Sequence, residues 1–459
     1  MNSDLQKIEY FFRFFDHPEP GINERIESDI NRYRKGWSRI TVTSDGKPVK
    51  GVEISLKLIR HDFDFGCNAF KFHDFFEAEK NAAYEEYFKR VFNLAVLPFY
   101  WNTYEPEPGK YCINAEDQIV GERRPATEPL LEWCEANRIR PKGHVIFMDM
   151  FNPSWLPDDW REIMRHLDRR TQFLGEKYGR RIDIWDVVNE SSFSQPRAAD
   201  QGVLMEPDYV HKIFKMAENY FPGSTEFVYN DGTLPSWVDF AGGSSPMYLL
   251  LKDLINRGCK VDSLGMQFHM RQLAVPQPEK AYSNSCNMDC FFNPARALET
   301  MDFYGRLNLP LHVSEISLPV YRDIPAELAA EVQARMLRNY YRMWFSQKDC
   351  ASIVYWNLCD NTAYGKENDL RAGLVDADFQ AKPSYQMLDK LVNKEWHTDI
   401  SAMTDADGVM DWNGFYGKYE LRINGEKSII DLTPRGVNRI FIRDGIVSGA
   451  DKFSGDLLA

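Results

Sequence analysis

The sequence predicts an α/β fold, a (β/α)8 TIM barrel with a small accessory β-sandwich that the N- and C-terminal flanks build together. Short apolar runs rich in β-branched residues alternate with longer helical patterns through the middle of the chain, which is typical of repeated βαβ units. The alternation gives eight candidate strands, the number that a closed parallel barrel requires. These candidate strands are residues 63–69, 92–97, 142–147, 182–189, 225–229, 261–268, 309–316 and 352–357.

The helical patterns that accompany these strands include residues 78–91, 127–137, 159–178 and 326–344. Residues 1–36 also have an amphipathic helical pattern, and we expect them to pack on the outside of the barrel.

Two flanking segments, residues 38–59 and 413–446, instead alternate polar and apolar residues with a period of two and contain Gly, Pro and Asn turn signals. Neither flank has enough strands to bury a core alone, so we expect the two to pair. The predicted organisation is an N-terminal segment of helix and accessory strands (1–62), a catalytic barrel (63–395) and the C-terminal accessory strands (396–459).

Composition excludes several classes of protein. The net charge of −13 argues against nucleic acid or an anionic membrane as the partner. No apolar run is long enough to span a membrane, and the N-terminus lacks the pattern of a signal peptide. We expect a cytoplasmic protein, or a secreted one if a signal peptide has been removed. The oligomeric state is not predicted.

The eight cysteines are scattered, which predicts free thiols. Cys286 and Cys290 are close together, but no matching His/Cys pair follows them, so no zinc site is expected. Phosphate-binding Gly-rich motifs are absent from the sequence, and we expect neither a metal nor an organic cofactor.

Polar residues close the fourth and seventh candidate strands, where functional side chains of a barrel lie. Asn189 and Glu190 end the run IDIWDVVNE, and Glu315 lies in LHVSEIS. Either glutamate alone could be a structural ion pair. Together they face each other across the barrel, and glycoside cleavage needs such a pair, about 5–5.5 Å apart in retaining enzymes. Repulsion between them would raise the pKa of the acid. Glu190 is therefore the predicted general acid/base and Glu315 the predicted nucleophile.

These strand ends and several shorter motifs resemble glycoside hydrolase family ten, the endo-β-1,4-xylanases, over about residues 63–393. The motifs are WDVVNE at 185–190, SEI at 314–316, Gly143-His144 with Pro153-Ser154-Trp155, Tyr229-Asn230-Asp231, Gln267-Phe268-His269, Trp356 with Asp360, Gly373-Leu374-Val375-Asp376, Lys382-Pro383, and Glu105-Pro106 with Gly109.

The resemblance implies several roles in a carbohydrate-binding site, all without metal. Asn189 would bind the sugar 2-hydroxyl, and His269 would contact Glu315, supported by Gln267. Trp356 would stack under the sugar, with capping of the barrel core as the alternative. His144, on the third strand, completes the set that the motifs imply. An aromatic content of 14% fits either sugar-stacking rings or a large core.

Two departures from the family pattern concern sugar recognition. The family places Glu-Asn-x-x-Lys at the end of strand two, where this chain has the apolar run 96–100, ending in Tyr100. The family's Trp-His in the third-strand loop is replaced by Met148 and Asp149. Tyr100 could stack on a sugar or pack in the loop, and Asp149 could bind a hydroxyl or face solvent.

Lost polar contacts change discrimination between substrates more than they change the reaction. The predicted function is therefore a retaining glycoside hydrolase that cleaves β-glycosidic bonds in a polysaccharide or oligosaccharide and resembles an endo-1,4-β-xylanase of xylan degradation. The alternatives are an exo-acting or non-xylan β-glycosidase with the same mechanism, and a catalytically inert carbohydrate-binding barrel.

Overall fold

A computed structural model describes residues 3–192, 202–275, 292–434, 438–443 and 445–452. The chain divides into two compact units. The first takes its residues from Met1–Pro20, Phe65–Trp344 and Asp349–Gln386, and the second from Gly21–Asp64, Phe345–Lys348 and Met387–Ala459.

The first unit is a barrel of eight parallel strands in chain order, and the sheet closes because the last strand pairs with the first. The sixth strand is interrupted for one residue, at Gln267, so that it consists of two short segments that both pair with the seventh strand. The barrel strands are Asp64–Asn68, Leu94–Pro98, Arg140–Phe147, Ile184–Asn189, Glu226–Asp231, Ser263–Met266 with Phe268–His269, Leu311–Ser317 and Cys350–Tyr355.

Helices follow the strands and bury one face each on the barrel. The helix Trp160–Tyr178 shows how the sequence sets such a helix, because the Asp159 side chain accepts hydrogen bonds from the backbone of Arg161 and Glu162 and so caps its first turn. The α-helices described in this unit are Ser3–Asp16, Ala78–Val91, Trp101–Tyr104, Thr127–Asn137, Trp160–Tyr178, Tyr209–Tyr220, Pro246–Asn256, Pro294–Tyr304, Ala326–Ser346 and Pro383–Lys390, the last two of which cross the unit boundary.

Short helical turns connect several of these elements. The 3-10 turns are Ala115–Asp117, Asp149–Phe151, Val203–Met205, Gly242–Ser244, Gly305–Leu307 and Gly365–Leu370, and Leu234–Val238 is a π-helical turn.

The second unit contains two small sheets built from both ends of the chain. In one, Lys35–Ser44 pairs antiparallel with Val409–Phe415 and parallel with Asn438–Arg443. In the other, Glu53–His61 lies between Asp399–Met403 and Gly417–Ile423, antiparallel to both. The remaining elements of this unit are the strands Lys47–Pro48, Glu426–Leu432 and Ile446–Lys452, the α-helix Ile22–Tyr33 and the π-helical turn Leu391–Glu395.

Alternation of side chains puts one face of each sheet into a shared apolar core. Ile40, Ile54 and Leu421 are fully buried, and the rings of Trp412 and Tyr419, one from each sheet, lie 4.8 Å apart. The two flanks therefore form a sandwich, because neither could cover its apolar face alone.

The predicted fold class is confirmed. Each of the eight candidate strands lies on an observed barrel strand, with ends displaced by two residues at most. The first N-terminal helix, Ser3–Asp16, packs on the first unit through Phe11, whose ring lies 4.7 Å from that of Phe292 and 5.7 Å from that of Tyr321. The domain boundaries drawn after residues 62 and 395 stay a prediction.

Candidate active site

A cavity of about 530 Å³ opens at the carboxyl ends of the barrel strands. It is larger than a single sugar ring needs and has the size of a typical small-ligand site. Six of the nine residues predicted for the site line it, namely Tyr100, Asn189, Glu190, His269, Glu315 and Trp356.

Glu190 directly follows the fourth strand, in a backbone conformation with φ of 55° that non-glycine residues rarely adopt. Its backbone N–H donates to the carbonyl oxygen of Asn230 on the fifth strand, 3.0 Å away, which holds this conformation. Burial raises the pKa of Glu190, and the negative charge of Glu315 raises it further. A raised pKa is the direction that the role of proton donor requires.

Glu315, on the seventh strand, is 4% exposed and accepts hydrogen bonds from three side chains. Asn230 Nδ2 and Gln267 Nε2 donate to its Oε1 at 2.9 and 3.0 Å. His269 Nε2 lies 3.2 Å from its Oε2, while His269 Nδ1 contacts Ser317 Oγ at 2.8 Å. Donors on both oxygens fix the orientation of this carboxyl group, as a nucleophile requires.

The contact with Glu315 also affects the pKa of the His269 imidazole. Burial by itself would lower the pKa of His269, but the hydrogen bond to Glu315 and the charges of Glu367 and Glu315 outweigh it and raise the pKa. A protonated His269 would donate from both ring nitrogens and strengthen its hold on Glu315.

Gln267 joins the two glutamates. Its Nε2 lies 3.0 Å from Glu190 Oε1 and 3.0 Å from Glu315 Oε1, and 3.2 Å from Asn189 Oδ1. Glu190 Oε1 and Glu315 Oε1 therefore cannot lie farther apart than twice 3.0 Å. That arrangement is compatible with the carboxyl separation of about 5–5.5 Å in retaining glycosidases, which is shorter than the separation of about 6.5–9.5 Å in inverting ones.

Asn230 is central to this network, although no role was predicted for it. Its Nδ2 donates to Asn189 Oδ1 and Glu315 Oε1, and its Oδ1 accepts from Ser314 Oγ at 2.6 Å. Gly265 leaves the space it needs, because a Cβ there would lie 2.1 Å from Asn230 Oδ1. The only signal in the sequence was its position in the motif at residues 229–231, at the end of the fifth strand.

Asn189 presents its amide to the cavity. Its Oδ1 is fixed by Asn230 and Gln267, which leaves Nδ2 with Met148 Sδ at 3.2 Å. Thioether sulfur is a weak acceptor, so a sugar hydroxyl can take its place at little cost.

Trp356 forms an apolar wall of the cavity directly after the eighth strand. It is 4% exposed, and its ring lies 5.2 Å from that of Phe70 and 6.4 Å from that of His269. Packing against Phe70 fixes the plane of the indole, which a sugar ring could contact.

His144 does not line the cavity. Its Nδ1 lies 2.7 Å from Asp186 Oδ2 and its Nε2 lies 3.1 Å from the hydroxyl of Tyr100, which does line it. Lys142 Nζ, 2.8 Å from Asp186 Oδ1, completes this buried chain of polar groups. His144 therefore positions Tyr100, while substrate contact by His144 itself stays a prediction.

Asp149 is also outside the set of lining residues. Its Oδ1 accepts a hydrogen bond from Asn152 Nδ2 at 3.2 Å, and the side chain is partly buried. Contact between Asp149 and a sugar stays a prediction.

Within the described ranges, no cluster of His, Cys, Asp and Glu side chains could hold a metal ion. Six cysteines there are free and buried, and Cys286 and Cys290 lie outside the described residues. None of the described helices is long and apolar enough to cross a membrane.

Solved structures with the same barrel include xylanase 10B from Thermotoga maritima, with a TM-score of 0.57 and 21% identity, covering 73% of this chain and 96% of that one. Xylanase 10B from Thermotoga petrophila, in complex with xylobiose, has a TM-score of 0.56 and 20% identity and covers 73% and 95%. At these identities the likeness shows the fold.

Curated relatives are similarly distant. The anti-sigma-I factor RsgI6 of Acetivibrio thermocellus is 24% identical over 413 residues, which cover 88% of this chain and 47% of that protein. The endo-1,4-beta-xylanase 5-like protein of Arabidopsis thaliana is 24% identical over 381 residues, covering 81% and 58%. Endo-1,4-beta-xylanase B of Thermotoga neapolitana is 22% identical over 342 residues, covering 70% and 85%. The chain thus spans only about half the length of the first two.

A family model described as glycosyl hydrolase family 10 matches residues 68–391, which are most of the chain and contain every predicted site residue. The predicted family is confirmed. This chain belongs to glycosyl hydrolase family 10.

Proposed function

We propose that the protein is a retaining β-glycosidase of the endo-1,4-β-xylanase type, with Glu190 as general acid/base and Glu315 as nucleophile. The observation that carries the proposal is the contact of one amide nitrogen, Gln267 Nε2, with both carboxylates. That contact brings the two carboxyl groups close together, as direct attack by a carboxylate on the anomeric carbon requires.

The two glutamates have different environments, as the two steps require. Glu190, with its raised pKa, gives its proton to the glycosidic oxygen while Glu315 attacks the anomeric carbon and the leaving sugar departs. Glu190, now ionised, then takes a proton from water, and the hydroxide attacks the glycosyl–enzyme ester and releases Glu315. Asn189 Nδ2 would exchange its contact with Met148 for the sugar 2-hydroxyl, a bond that strengthens in the transition state.

The substrate is proposed as a β-1,4-linked polymer or oligomer of xylose, in line with the relatives named as endo-1,4-beta-xylanases. Exo action or another β-linked sugar is the alternative that the second strand favours, because Tyr100 and the apolar residues before it cannot make the hydrogen bonds of Glu-Asn-x-x-Lys. Carbohydrate binding without turnover is favoured by the same loss, but binding alone does not require a linked pair of carboxylates.

Variants of the two glutamates test the proposal on xylan and on xylo-oligosaccharides. Glu190→Gln and Glu315→Gln should each lower kcat/KM by about a thousandfold or more, because each removes a group that acts in the transition state. Glu331→Gln, an exposed glutamate on the helix Ala326–Ser346, is the control and should retain wild-type turnover. Wild-type turnover in either active-site variant would refute the assignment.

The same preparations settle the alternatives. A panel of aryl β-xyloside, β-glucoside and β-galactoside compared with xylan shows which sugar and which mode of action the wild-type enzyme prefers. Binding of xylo-oligosaccharides by the wild type with no hydrolysis, even over days, would favour the inert barrel.

A further inference from the structure

Two adjacent arginines, Arg123 and Arg124, line the same cavity as the catalytic glutamates. They end the loop that precedes the helix Thr127–Asn137, and Arg124 is only 8% exposed. Burial lowers the pKa of both, that of Arg124 to about 10, so both guanidinium groups are still charged at neutral pH.

Asp74, a fully buried carboxylate, fixes the loop that carries the arginines. Its two oxygens accept the backbone N–H groups of Gly121 and Arg123 at 2.7 and 2.9 Å. Lys71 Nζ, 2.5 Å from Asp74, neutralises its charge. The position of the two arginines is therefore set before any ligand binds, and Asp74 is not free to act as their counter-ion.

Hydrogen bonds to neutral groups use only some of the N–H donors of the two guanidinium groups. Arg123 Nη2 donates to Asn357 Oδ1 at 2.9 Å, and its buried Nε has no partner among the described residues. Arg124 donates through Nε to Thr103 Oγ1 at 2.9 Å and through Nη1 to the carbonyl of Arg123 at 2.7 Å. In the part of the chain that the structure describes, Arg123 Nη1 and Arg124 Nη2 donate no hydrogen bond.

No described carboxylate forms an ion pair with either arginine, whereas the cavity's third arginine, Arg271, lies 3.3 Å from Glu367. Aromatic faces support the charges instead, since the guanidinium carbon of Arg124 lies 4.4 Å from the ring centre of Tyr100 and that of Arg123 lies 5.3 Å from Phe70. Burying two cations with no carboxylate in ion-pair contact costs free energy unless a bound ligand supplies the anion.

We propose that Arg123 and Arg124 bind the carboxylate of a uronic acid residue in the substrate, so that this enzyme prefers acidic β-linked saccharides to neutral ones. The proposal rests on the proposed glycosidase function. Guanidinium nitrogens match a planar carboxylate with paired, charge-assisted hydrogen bonds, which a neutral sugar hydroxyl cannot replace. Tyr100, which lies against Arg124, also interacts electrostatically with Glu315, which places this carboxylate site close to the cleavage site.

The test compares substrates that differ only in the carboxylate. Glucuronoxylan is compared with the same polymer after reduction of its carboxyl groups, which examines a uronic acid on a side branch. Aryl β-glucuronide is compared with aryl β-glucoside, which examines a uronic acid at the residue whose bond is cleaved. We expect kcat/KM to be about tenfold or more higher for the acidic member of one pair. No preference in either pair would overturn the proposal.

Variants then assign the preference to this site. Arg123→Gln and Arg124→Gln should each reduce the ratio of acidic to neutral kcat/KM by about tenfold. Arg271→Gln removes a cavity cation that already has a carboxylate partner and should leave that ratio unchanged. A ratio that persists in Arg123→Gln and Arg124→Gln, or that falls equally in Arg271→Gln, would overturn the proposal. Arg123→Gln loses one hydrogen bond, to Asn357, and the contact with the Phe70 ring, whereas Arg124→Gln loses two hydrogen bonds, so Arg123→Gln still gives a result if Arg124→Gln does not fold.

Binding to Glu315→Gln separates this inference from the proposed function. Calorimetry with aldouronic xylo-oligosaccharides and their carboxyl-reduced forms measures the preference without any turnover. Preference for the acidic form would support the carboxylate site even if wild-type hydrolysis proved absent, and equal affinity would refute the site even if hydrolysis were established.

Discussion

Gln267 is the side chain whose replacement most directly examines how the two glutamates are coupled. The change Gln267→Met keeps the length of the side chain and removes the amide that lies 3.0 Å from both Glu190 and Glu315. Glu315 keeps two hydrogen-bond partners, Asn230 and His269, so it should stay in place. Glu190 loses the hydrogen bond from Gln267, which lowers its pKa.

The size of the effect follows from these contacts. A hydrogen bond to a charged group contributes about 1.5–3 kcal/mol, and about 1.4 kcal/mol corresponds to a factor of ten in rate. If the lost bonds stabilise the transition state by that amount, kcat/KM should fall by about 10- to 100-fold. With the Gln267 bond gone, burial and the charge of Glu315 raise the pKa of Glu190 further. Because Glu190 must be protonated to act as an acid, the alkaline limb of the pH profile of kcat/KM should move to higher pH.

The assay is the pH dependence of kcat/KM on xylo-oligosaccharides for the wild type and Gln267→Met. Gln333→Met is the matched control, since Gln333 is equally buried but bonds Leu318 and Ser384, away from the glutamates. It should lower the melting temperature without moving the alkaline limb. An alkaline limb that stays in place in Gln267→Met, or moves equally in the control, would refute the coupling of Glu190 to Gln267.

Two further predictions concern buried ionisable groups. Because the pKa of His269 is raised above 6.5, its bond to Glu315 stabilises the fold fully below about pH 6.5 and less as pH rises through the folded pKa. The melting-temperature difference between wild type and His269→Asn should therefore shrink with rising pH, and a difference that grew would contradict this. Lys142→Met leaves Asp186 with His144 as its remaining partner and should cost about 3–5 kcal/mol in unfolding by denaturant. The double variant Lys142→Met/Asp186→Leu should recover part of that loss, and no recovery would argue against an uncompensated charge as its cause.

The barrel was predictable because its signals are local. Each strand is an apolar run of a few residues and each helix a periodic pattern, and both kinds of signal survive without knowledge of the rest of the chain. The pairing of the flanks was also predictable in outline, since exposed apolar faces need a partner. The order of strands was not, because the parallel contact of Lys35–Ser44 with Asn438–Arg443 depends on how the chain returns after the barrel.

Glu190 and Glu315 were predicted as a pair from their positions at strand ends. The contact of Gln267 with both of them was not predicted. Gln267 reaches both glutamates because the sixth strand is interrupted at that residue, a local irregularity with no sequence signature. Asn230 was overlooked for a similar reason, since its role depends on the space that Gly265 leaves on the neighbouring strand. Arg123 and Arg124 lie in a loop far from any strand end, and only tertiary structure brings them to the cavity.

The stereochemistry of the first product tests the central claim about Glu190 and Glu315 most directly. Proton NMR during the first minutes of xylo-oligosaccharide hydrolysis distinguishes the anomers before they equilibrate. A pair held as closely as Gln267 holds these two predicts net retention, so the β-anomer should appear first and the α-anomer only by mutarotation. Initial release of the α-anomer would show that water attacks directly and would contradict the assignment of Glu315 as the nucleophile.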